Sequence, residues 1–231
     1  MREIVLDTET TGLDPLDGHR LVEVGCIELV NRIPSGHTFH VYFNPERGMP
    51  AEAFAVHGLS EDFLKDKPFF AEAADDLIAF LGDAPLIIHN AAFDLGFLNA
   101  ELERAGRPLL ARERLVDTLL IARRKQPGGS NRLDDLCVRY AIDNSRRTKH
   151  GALLDAELLA EVYVELIDAR QAQLGLSQAA APVISVGVQI VVRERPVPLV
   201  PRITDDDRTA HRAFIATLGD NAIWRDYLNS S

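Results

Sequence analysis

The sequence predicts an α/β fold in which a mixed sheet is flanked by helices, followed by a C-terminal tail. Segments that alternate apolar with polar residues come first, which is typical of half-buried antiparallel strands. A short apolar strand that leads into a helix comes next, and further helical segments follow it. Near Gly175 the composition changes, and alanine- and proline-rich stretches indicate a linker. We therefore expect one domain over residues 1–174 and a tail over residues 175–231.

The predicted elements follow from hydrophobic periodicity and from helix-start signals. The strands are expected at residues 2–8, 21–31, 38–43 and 86–89. The helices are expected at residues 69–81, 92–104, 117–125, 131–140, 153–171 and 204–218. Ser60 and Thr204 each precede acidic residues, so both are predicted to be helix N-caps.

Composition limits the class of protein. Of the 231 residues, 46% are apolar, which suits a globular core, and no apolar run is long enough to cross a membrane. We expect no targeting peptide, because acidic residues follow the first apolar stretch directly. Cys26 and Cys137 have no second thiol nearby, so we expect reduced, buried thiols and a cytoplasmic location. The net charge of −10 opposes binding to phosphates unless bound cations neutralise the carboxylates.

Two acidic residues stand at the end of the first predicted strand. Asp7 and Glu9 are two positions apart, so their side chains project from the same face of the strand. Neighbouring carboxylates repel each other unless a cation binds between them. Carboxylate oxygens suit Mg²⁺ or Mn²⁺ better than zinc. The pair suggests a divalent-metal site, although scattered acids at a surface strand end would give the same pattern.

Two further segments place acids at the start of helices. Asp94 follows the short apolar strand, at the kind of strand end that faces the crevice of an α/β sheet. His150 and Asp155 open the last long helix, where Gly151 leaves the imidazole at a flexible entry. A helical acid suits a metal ligand, and an imidazole suits a general base. Taken singly, Asp94 fits an ordinary first-turn acid, and His150 fits a solvated or capping residue.

Together the three segments resemble the His-containing branch of the DEDD exonuclease superfamily. The resemblance rests on the strings DTETTG, AFAVHGLS, HNAAFD and NSRRTKHGALLDA. Asp7 and Glu9 match the first motif of that branch, Asp94 the second, and His150 with Asp155 the third. Within the superfamily, the chain is most similar to the epsilon proofreading subunits of bacterial DNA polymerase III.

The resemblance implies an RNase H-like fold and a 3′–5′ exonuclease that removes mispaired 3′-terminal nucleotides during DNA replication. It implies hydrolysis with two divalent cations, Mg²⁺ or Mn²⁺, and with His150 as the general base. The implied metal ligands are Asp7, Glu9, Asp94 and Asp155. The residues implied to contact the terminal nucleotide are Thr8, Thr10, Glu52, His57 and Asn90. An isolated loop histidine is often structural, so His57 keeps that alternative.

The tail suggests the partners. Residues 204–218 and Trp224 resemble the part of epsilon subunits that binds the polymerase catalytic subunit, and a tryptophan on a short tail suits an interface anchor. The peptide Gln173-Leu174-Gly175-Leu176 resembles glutamine-led peptides that dock into sliding clamps, but it lacks their aromatic end. The end of the preceding helix is the alternative reading. Because an acidic chain grips DNA weakly, we expect a partner to deliver the 3′ end.

Two other functions remain open on the sequence alone. A stand-alone enzyme of the same superfamily, which trims RNA or degrades short oligoribonucleotides, would share all five catalytic residues. The tail distinguishes the two functions, because a self-sufficient enzyme has little use for it. A non-catalytic adaptor with an inherited fold is the third possibility, and the presence of all five residues argues against it.

Overall fold

The strands and helices are described in a computed structural model that covers residues 1–169 and 203–218. The chain divides into two units, Met1–Gly175 and Leu176–Ser231. The strands of the first unit are β1 (Arg2–Thr10), β2 (Leu21–Val30), β3 (Ile33–Tyr42), β4 (Leu86–Ile88) and β5 (Leu115–Asp117). Its helices are α1 (Ala51–His57), α2 (Glu61–Leu64), α3 (Phe70–Leu81), α4 (Ala91–Arg104), α5 (Thr118–Lys125), α6 (Leu133–Arg139) and α7 (Ala152–Leu166). The second unit contributes α8 (Asp205–Thr217).

The five strands form one mixed sheet in the order β3-β2-β1-β4-β5. The pairs β1–β2 and β2–β3 are antiparallel, whereas β1–β4 and β4–β5 are parallel. This arrangement confirms the predicted mixed sheet, with antiparallel strands from the first part of the chain and parallel strands from the β–α alternation. Parallel strands end at the same edge of a sheet, so the carboxyl ends of β1 and β4 lie side by side.

Residues of β1 alternate between two cores. Ile4 and Leu6 pack with residues of α3 and α4 on one face, and Val5 packs with residues of α7 on the other. Since side chains alternate along a strand, Asp7 and Glu9 share the face of Val5 and project towards the side of α7. The pattern predicted for this strand is confirmed.

Helix α7 lies unusually close to strand β2. A Cβ atom added to Gly25 would lie 2.2 Å from the backbone nitrogen of Leu153 and 2.3 Å from the carbonyl carbon of Ala152. Gly25 is also the register partner of Asp7 in β1. The glycine therefore allows the first turn of α7, which carries Asp155, to approach the acidic end of β1.

The sequence predictions were wrong or incomplete at three elements. Strand β3 begins at Ile33, before the predicted start at position 38, because its first residues are exposed and show no alternation. Helix α1 was not predicted, since His57 is its buried residue and a single buried position gives no periodicity. Strand β5 was not predicted, because its three residues are only half-buried and end in an acid, whereas the three residues of β4 form a fully buried apolar run. The Ser60 N-cap is confirmed, with its hydroxyl accepting from the N–H of Phe63.

Helix α8 starts as the sequence predicts. The Thr204 hydroxyl accepts from the N–H of Asp207, whose carboxylate accepts from the N–H of Thr204. The peptide Gln173-Leu174-Gly175-Leu176, the linker at residues 179–182 and Trp224 lie outside the described residues. Within the described ranges, no helix has the length and apolar character required to cross a bilayer.

Candidate active site

A cavity of about 730 Å³ opens where β1 and β4 end at their carboxyl termini. All five residues predicted to be catalytic line it, although they come from segments between position 7 and position 155 of the chain. They are Asp7, Glu9, Asp94, His150 and Asp155. Thr8 and Asn90, two of the predicted substrate-binding residues, line the same cavity. The structure therefore brings the three predicted segments together.

Each acid lies on a strand or in the first turn of a helix, which sets the direction of its side chain. Asp7 and Glu9 lie on β1, and Asp155 lies in the first turn of α7. Asp94 lies in the first turn of α4 and accepts a hydrogen bond of 2.7 Å from the Thr8 hydroxyl. Both helix N-termini carry partial positive charge, which favours a carboxylate in the first turn. The carboxylates thus converge from a strand and two helix starts.

The guanidinium of Arg147 links His150 and Asp155, the two residues of the third segment, to Asp134 in α6. Its Nε lies 2.5 Å from Asp155 Oδ1, and its Nη2 lies 2.7 Å from Asp155 Oδ2, which makes a two-point ion pair. The same Nη2 lies 2.8 Å from His150 Nδ1, and Nη1 lies 2.6 Å from Asp134 Oδ2. His150 Nδ1 is in turn 3.4 Å from Asp155 Oδ2. Sequence reasoning missed Arg147, because a basic cluster gives no signal that one member turns inward.

Three of the acids hold protons unusually tightly in the metal-free protein. Burial raises the pKa of Asp7, and the carboxylates of Asp94, Glu9 and Asp155 raise it further. Burial and the charge of Asp155 raise the pKa of Glu9 to about 8. Burial raises the pKa of Asp94 to about 7, against the opposing hydrogen bond from Thr8. At Asp7 and Glu9, burial and repulsion between the acids therefore outweigh the nearby positive charge of Arg147.

Asp155 behaves differently from the other three acids. Burial raises its pKa, but the hydrogen bonds from Arg147 and His150 outweigh burial, so the pKa of Asp155 is lower than usual. The carboxylate is consequently ionised at neutral pH without a metal. The site contains one acid that is already paired with a cation and three that are not.

The metal-free protein is expected to lose stability as the pH rises. The pKa values of Glu9 and Asp94 are about 8 and about 7 in the folded chain, whereas carboxyls of unfolded chains titrate near about 4. An acid with a raised pKa stabilises the fold while it is protonated, and this stability disappears as the pH passes the folded pKa. The melting temperature in a chelator should therefore fall between about pH 5.5 and 9, and divalent cations should raise it most at the alkaline end.

The matched variant for this titration is Glu9→Gln, which keeps the shape of the side chain but cannot ionise. Its melting temperature should depend less on pH than that of the parent. A parent melting temperature that rises over this range would contradict the proposed repulsion among the acids, as would an equal slope in both proteins.

A second cavity of about 510 Å³ adjoins the first and shares Thr8, Glu9 and Phe93 with it. Thr10, Glu52 and His57 also line this second cavity. The predicted substrate-binding residues thus divide between two connected spaces, with Thr8 in both.

His57 lines this second cavity and has one ring nitrogen without a well-formed hydrogen bond. Its Nδ1 accepts the N–H of Leu59 at 3.0 Å, and burial lowers the pKa of His57, which favours the neutral ring. A neutral ring whose Nδ1 accepts must carry its proton on Nε2. That Nε2 is buried and makes no hydrogen bond of normal geometry among the described residues, although the Thr10 backbone lies close enough to raise the pKa of His57 against the effect of burial. A buried unpaired donor is costly, so this atom is suited to a ligand.

The threonines and Asn90 are less free to donate. The Thr10 hydroxyl donates to the Gly12 carbonyl at 2.6 Å, and the Thr8 hydroxyl donates to Asp94, so both can only accept from a ligand. Asn90 adopts a left-handed conformation with φ of 66°, and its N–H donates to Asp117 at 3.3 Å. Its side chain makes no cap to α4 and lies at the cavity wall.

The donor set fits divalent metal ions. Ligand atoms of Glu9, His150 and Asp155 all lie within 4.8 Å of one another, and Asp7 and Asp94 supply further carboxylate oxygens. A group of acids with raised pKa values is the arrangement that bound cations would relieve. Oxygen-rich sites of this kind suit Mg²⁺ or Mn²⁺.

The sequence is similar to a known family over most of its length. The sequence model described as Exonuclease matches residues 4–163. DNA polymerase III subunit epsilon of Rickettsia conorii is 47% identical over 222 residues, which cover 94% of this chain and 96% of the relative. The subunit of the same name from Escherichia coli is 42% identical over 241 aligned positions and covers 97% of both chains.

Solved structures share the fold. The nuclease domain of 3′hExo, a DEDDh family member bound to rAMP, has a TM-score of 0.63 at 18% identity, over 73% of this chain and 92% of that one. Exonuclease X in complex with 5′-overhanging duplex DNA has a TM-score of 0.55 at 23% identity, over 72% of this chain and 91% of that one. These likenesses confirm the RNase H-like sheet.

Proposed function

The chain belongs to the exonuclease family and, within it, to the epsilon subunits of bacterial DNA polymerase III, and we propose that its site removes mispaired nucleotides from DNA 3′ ends by two-metal hydrolysis. The observation that carries the chemistry is the convergence of Asp7, Glu9, Asp94, His150 and Asp155 on one cavity. The similarity to epsilon subunits extends over the tail as well as the domain, which favours proofreading over stand-alone RNA trimming.

The four carboxylates would hold the metal ions. We assign Asp7, Glu9, Asp94 and Asp155 as the ligands of two divalent cations, Mg²⁺ or Mn²⁺. The chemistry that such ions supply when bound is activation of a water molecule and stabilisation of charge on the leaving 3′ oxygen. All four acids line the same cavity, so each of them can reach a cation bound there.

His150 would take the proton of the attacking water. Its side chain is about half exposed, at 49%, so it can pass the proton on to solvent. The water oxygen forms a bond to phosphorus, and the bond between phosphorus and the 3′ oxygen of the preceding nucleotide breaks. The product is a nucleoside 5′-monophosphate and a strand that is one nucleotide shorter.

The terminal nucleotide would occupy the second cavity. The Nε2–H of His57 would donate to a sugar or phosphate oxygen, and the Thr10 hydroxyl, which already donates to Gly12, would only accept. Glu52 is exposed on the wall of that cavity, where its carboxylate can accept from a sugar hydroxyl. Thr8 lines both cavities, and Asn90 lines the first.

The tail would attach the exonuclease to the polymerase. In the second unit, α8 carries an exposed Phe214 and is followed by an exposed Leu218, which suits a helix that binds a partner groove. Trp224 would add an anchor, and Gln173-Leu174-Gly175-Leu176 would contact the sliding clamp. The net charge of −10 supports delivery of DNA by such partners. A replication subunit of a bacterium would work in the cytoplasm.

Removing residues 175–231 should leave nucleotide release almost unchanged and abolish association with the polymerase catalytic subunit. The five catalytic residues all lie before the cut, and α7 packs on the sheet of the first unit. Release should be measured on 3′-labelled single-stranded DNA, on a primer with a mispaired 3′ end and on RNA of the same sequence. Association should be measured by co-elution with the polymerase subunit.

The control for this experiment is the full chain with Trp224→Ala, which should weaken polymerase binding by roughly 30-fold, the usual worth of a buried tryptophan anchor. Faster release from RNA than from mispaired DNA would favour the stand-alone RNA-trimming enzyme. Loss of folding or activity on truncation would show that the tail belongs to the catalytic unit.

A further inference from the structure

Arg147 is a buried basic side chain inside the acidic cluster. It lies in the loop between α6 and α7, and only 7% of its side chain is exposed. Its guanidinium contacts Asp155 at two points, both ring nitrogens of His150 and one oxygen of Asp134. It therefore connects a proposed metal ligand, the proposed general base and the start of α6.

The position of the guanidinium is fixed from outside the catalytic set. Asp134 lies in the first turn of α6, and its second carboxylate oxygen accepts from the Asn144 side chain at 3.1 Å. Asp134 is about half exposed, at 53%, so it is an anchor rather than part of the buried cluster. A planar guanidinium with several fixed partners has a defined orientation, which a lysine ammonium would lack.

We propose that Arg147 is a positioning residue with two opposing effects: it orients His150 for proton transfer, and its charge competes with divalent cations for Asp155. This inference rests on the proposed function. Both oxygens of Asp155 accept from the guanidinium, so an arriving cation meets a carboxylate that already has a positive partner. A fixed positive charge a few ångströms from a cation site weakens cation binding. Arg147 thereby keeps the metal-free site compact while it lowers metal affinity.

The test compares Arg147→Gln and Arg147→Lys in the full chain, with Arg146→Gln as the matched control. Arg146 lies in the same loop, but its side chain is 73% exposed, pairs with Glu157 and does not line the cavity. Three quantities should be measured: the Kd for Mn²⁺ by calorimetry, the melting temperature in a chelator, and kcat and KM for nucleotide release in saturating Mn²⁺.

Arg147→Gln should bind Mn²⁺ about tenfold more tightly, because a positive charge is removed from the site. Its kcat should fall about 100-fold at similar KM, the usual consequence of a misplaced catalytic group. In a chelator it should melt at a lower temperature than the parent. Arg147→Lys keeps the charge but not the geometry, so it should lower kcat without tightening Mn²⁺ binding. Arg146→Gln should change neither the Kd for Mn²⁺ nor kcat by more than about twofold.

A parental kcat in Arg147→Gln would overturn the positioning role, and unchanged or weaker Mn²⁺ binding would overturn the competition. If Arg147→Gln does not fold, Arg147→Lys and Asp134→Asn decide the positioning role, since parental kcat in both would refute it. Asp134 should act through Arg147, so Asp134→Asn should cost nothing further in the Arg147→Gln background. A parent without metal-dependent nucleotide release would refute the proposed function instead, while the Mn²⁺ affinities would still test the competition.

Discussion

Alanine at any one of Asp7, Glu9, Asp94 and Asp155 is expected to abolish nucleotide release, with a loss on the order of 10⁴-fold or more. The reason is that each carboxylate would hold at least one of two ions that act together. All four line one cavity, and Asp134, the other acid in its lining, is already paired with Arg147. The measurement is mononucleotide release from a 3′-labelled single strand in Mg²⁺. Near-parental rates in any two variants would show that the four-carboxylate assignment is wrong.

The same variants should separate into two groups when the metal-free proteins are melted. Burial raises the pKa of Asp7, Glu9 and Asp94, and the charges of neighbouring acids raise each of these pKa values further, so removal of these side chains should not lower the melting temperature. Asp155→Ala should melt at a lower temperature, because it leaves the buried guanidinium of Arg147 without its main partner. Asp75→Ala is the control, since Asp75 is an exposed acid paired with Arg107.

The acidic end of β1 could be predicted because a strand has a simple periodicity. The alternation that placed Asp7 and Glu9 on one face also assigned Val5 to that face, and α7 covers it. The carboxyl ends of the parallel strands β1 and β4 then bring Asp94 to the same edge. These consequences follow from local sequence and general sheet geometry. The third segment, with His150 and Asp155, was assigned to the same site only through the family motifs, because no periodicity relates it to the first two segments.

The contacts that hold the third segment could not be predicted from local sequence. Gly25 stands in an apolar strand, where a glycine does not reveal that the backbone of α7 packs directly upon it. Arg147 belongs to a polar loop whose arginines look alike in sequence, yet Arg146 is exposed while Arg147 is buried. Helix α1, which carries Glu52 and His57, lacks an apolar stripe. Each of these features depends on packing between distant segments.

His150→Ala is expected to lower kcat by about two to four powers of ten, the usual worth of a positioned general base. His150 is half exposed and lies just before the first residue of α7. Removal of its side chain therefore leaves the carboxylates of β1 and α4 in place. Metal affinity should therefore change little. The variant should regain part of its rate at high pH, because hydroxide then replaces the water that the imidazole would have deprotonated.

The decisive comparison is between the rate and the metal affinity of this variant. The ligand atoms of Glu9, His150 and Asp155 lie within 4.8 Å of one another, so a metal-ligand role for the imidazole is the competing assignment. Calorimetric titration with Mn²⁺ separates the two roles, since a lost ligand weakens binding and a lost base does not. His37→Ala serves as the control, because His37 is exposed on β3 and contacts Glu28 instead. A His150→Ala protein that binds Mn²⁺ weakly and gains nothing at high pH would make His150 a ligand and remove it as the base.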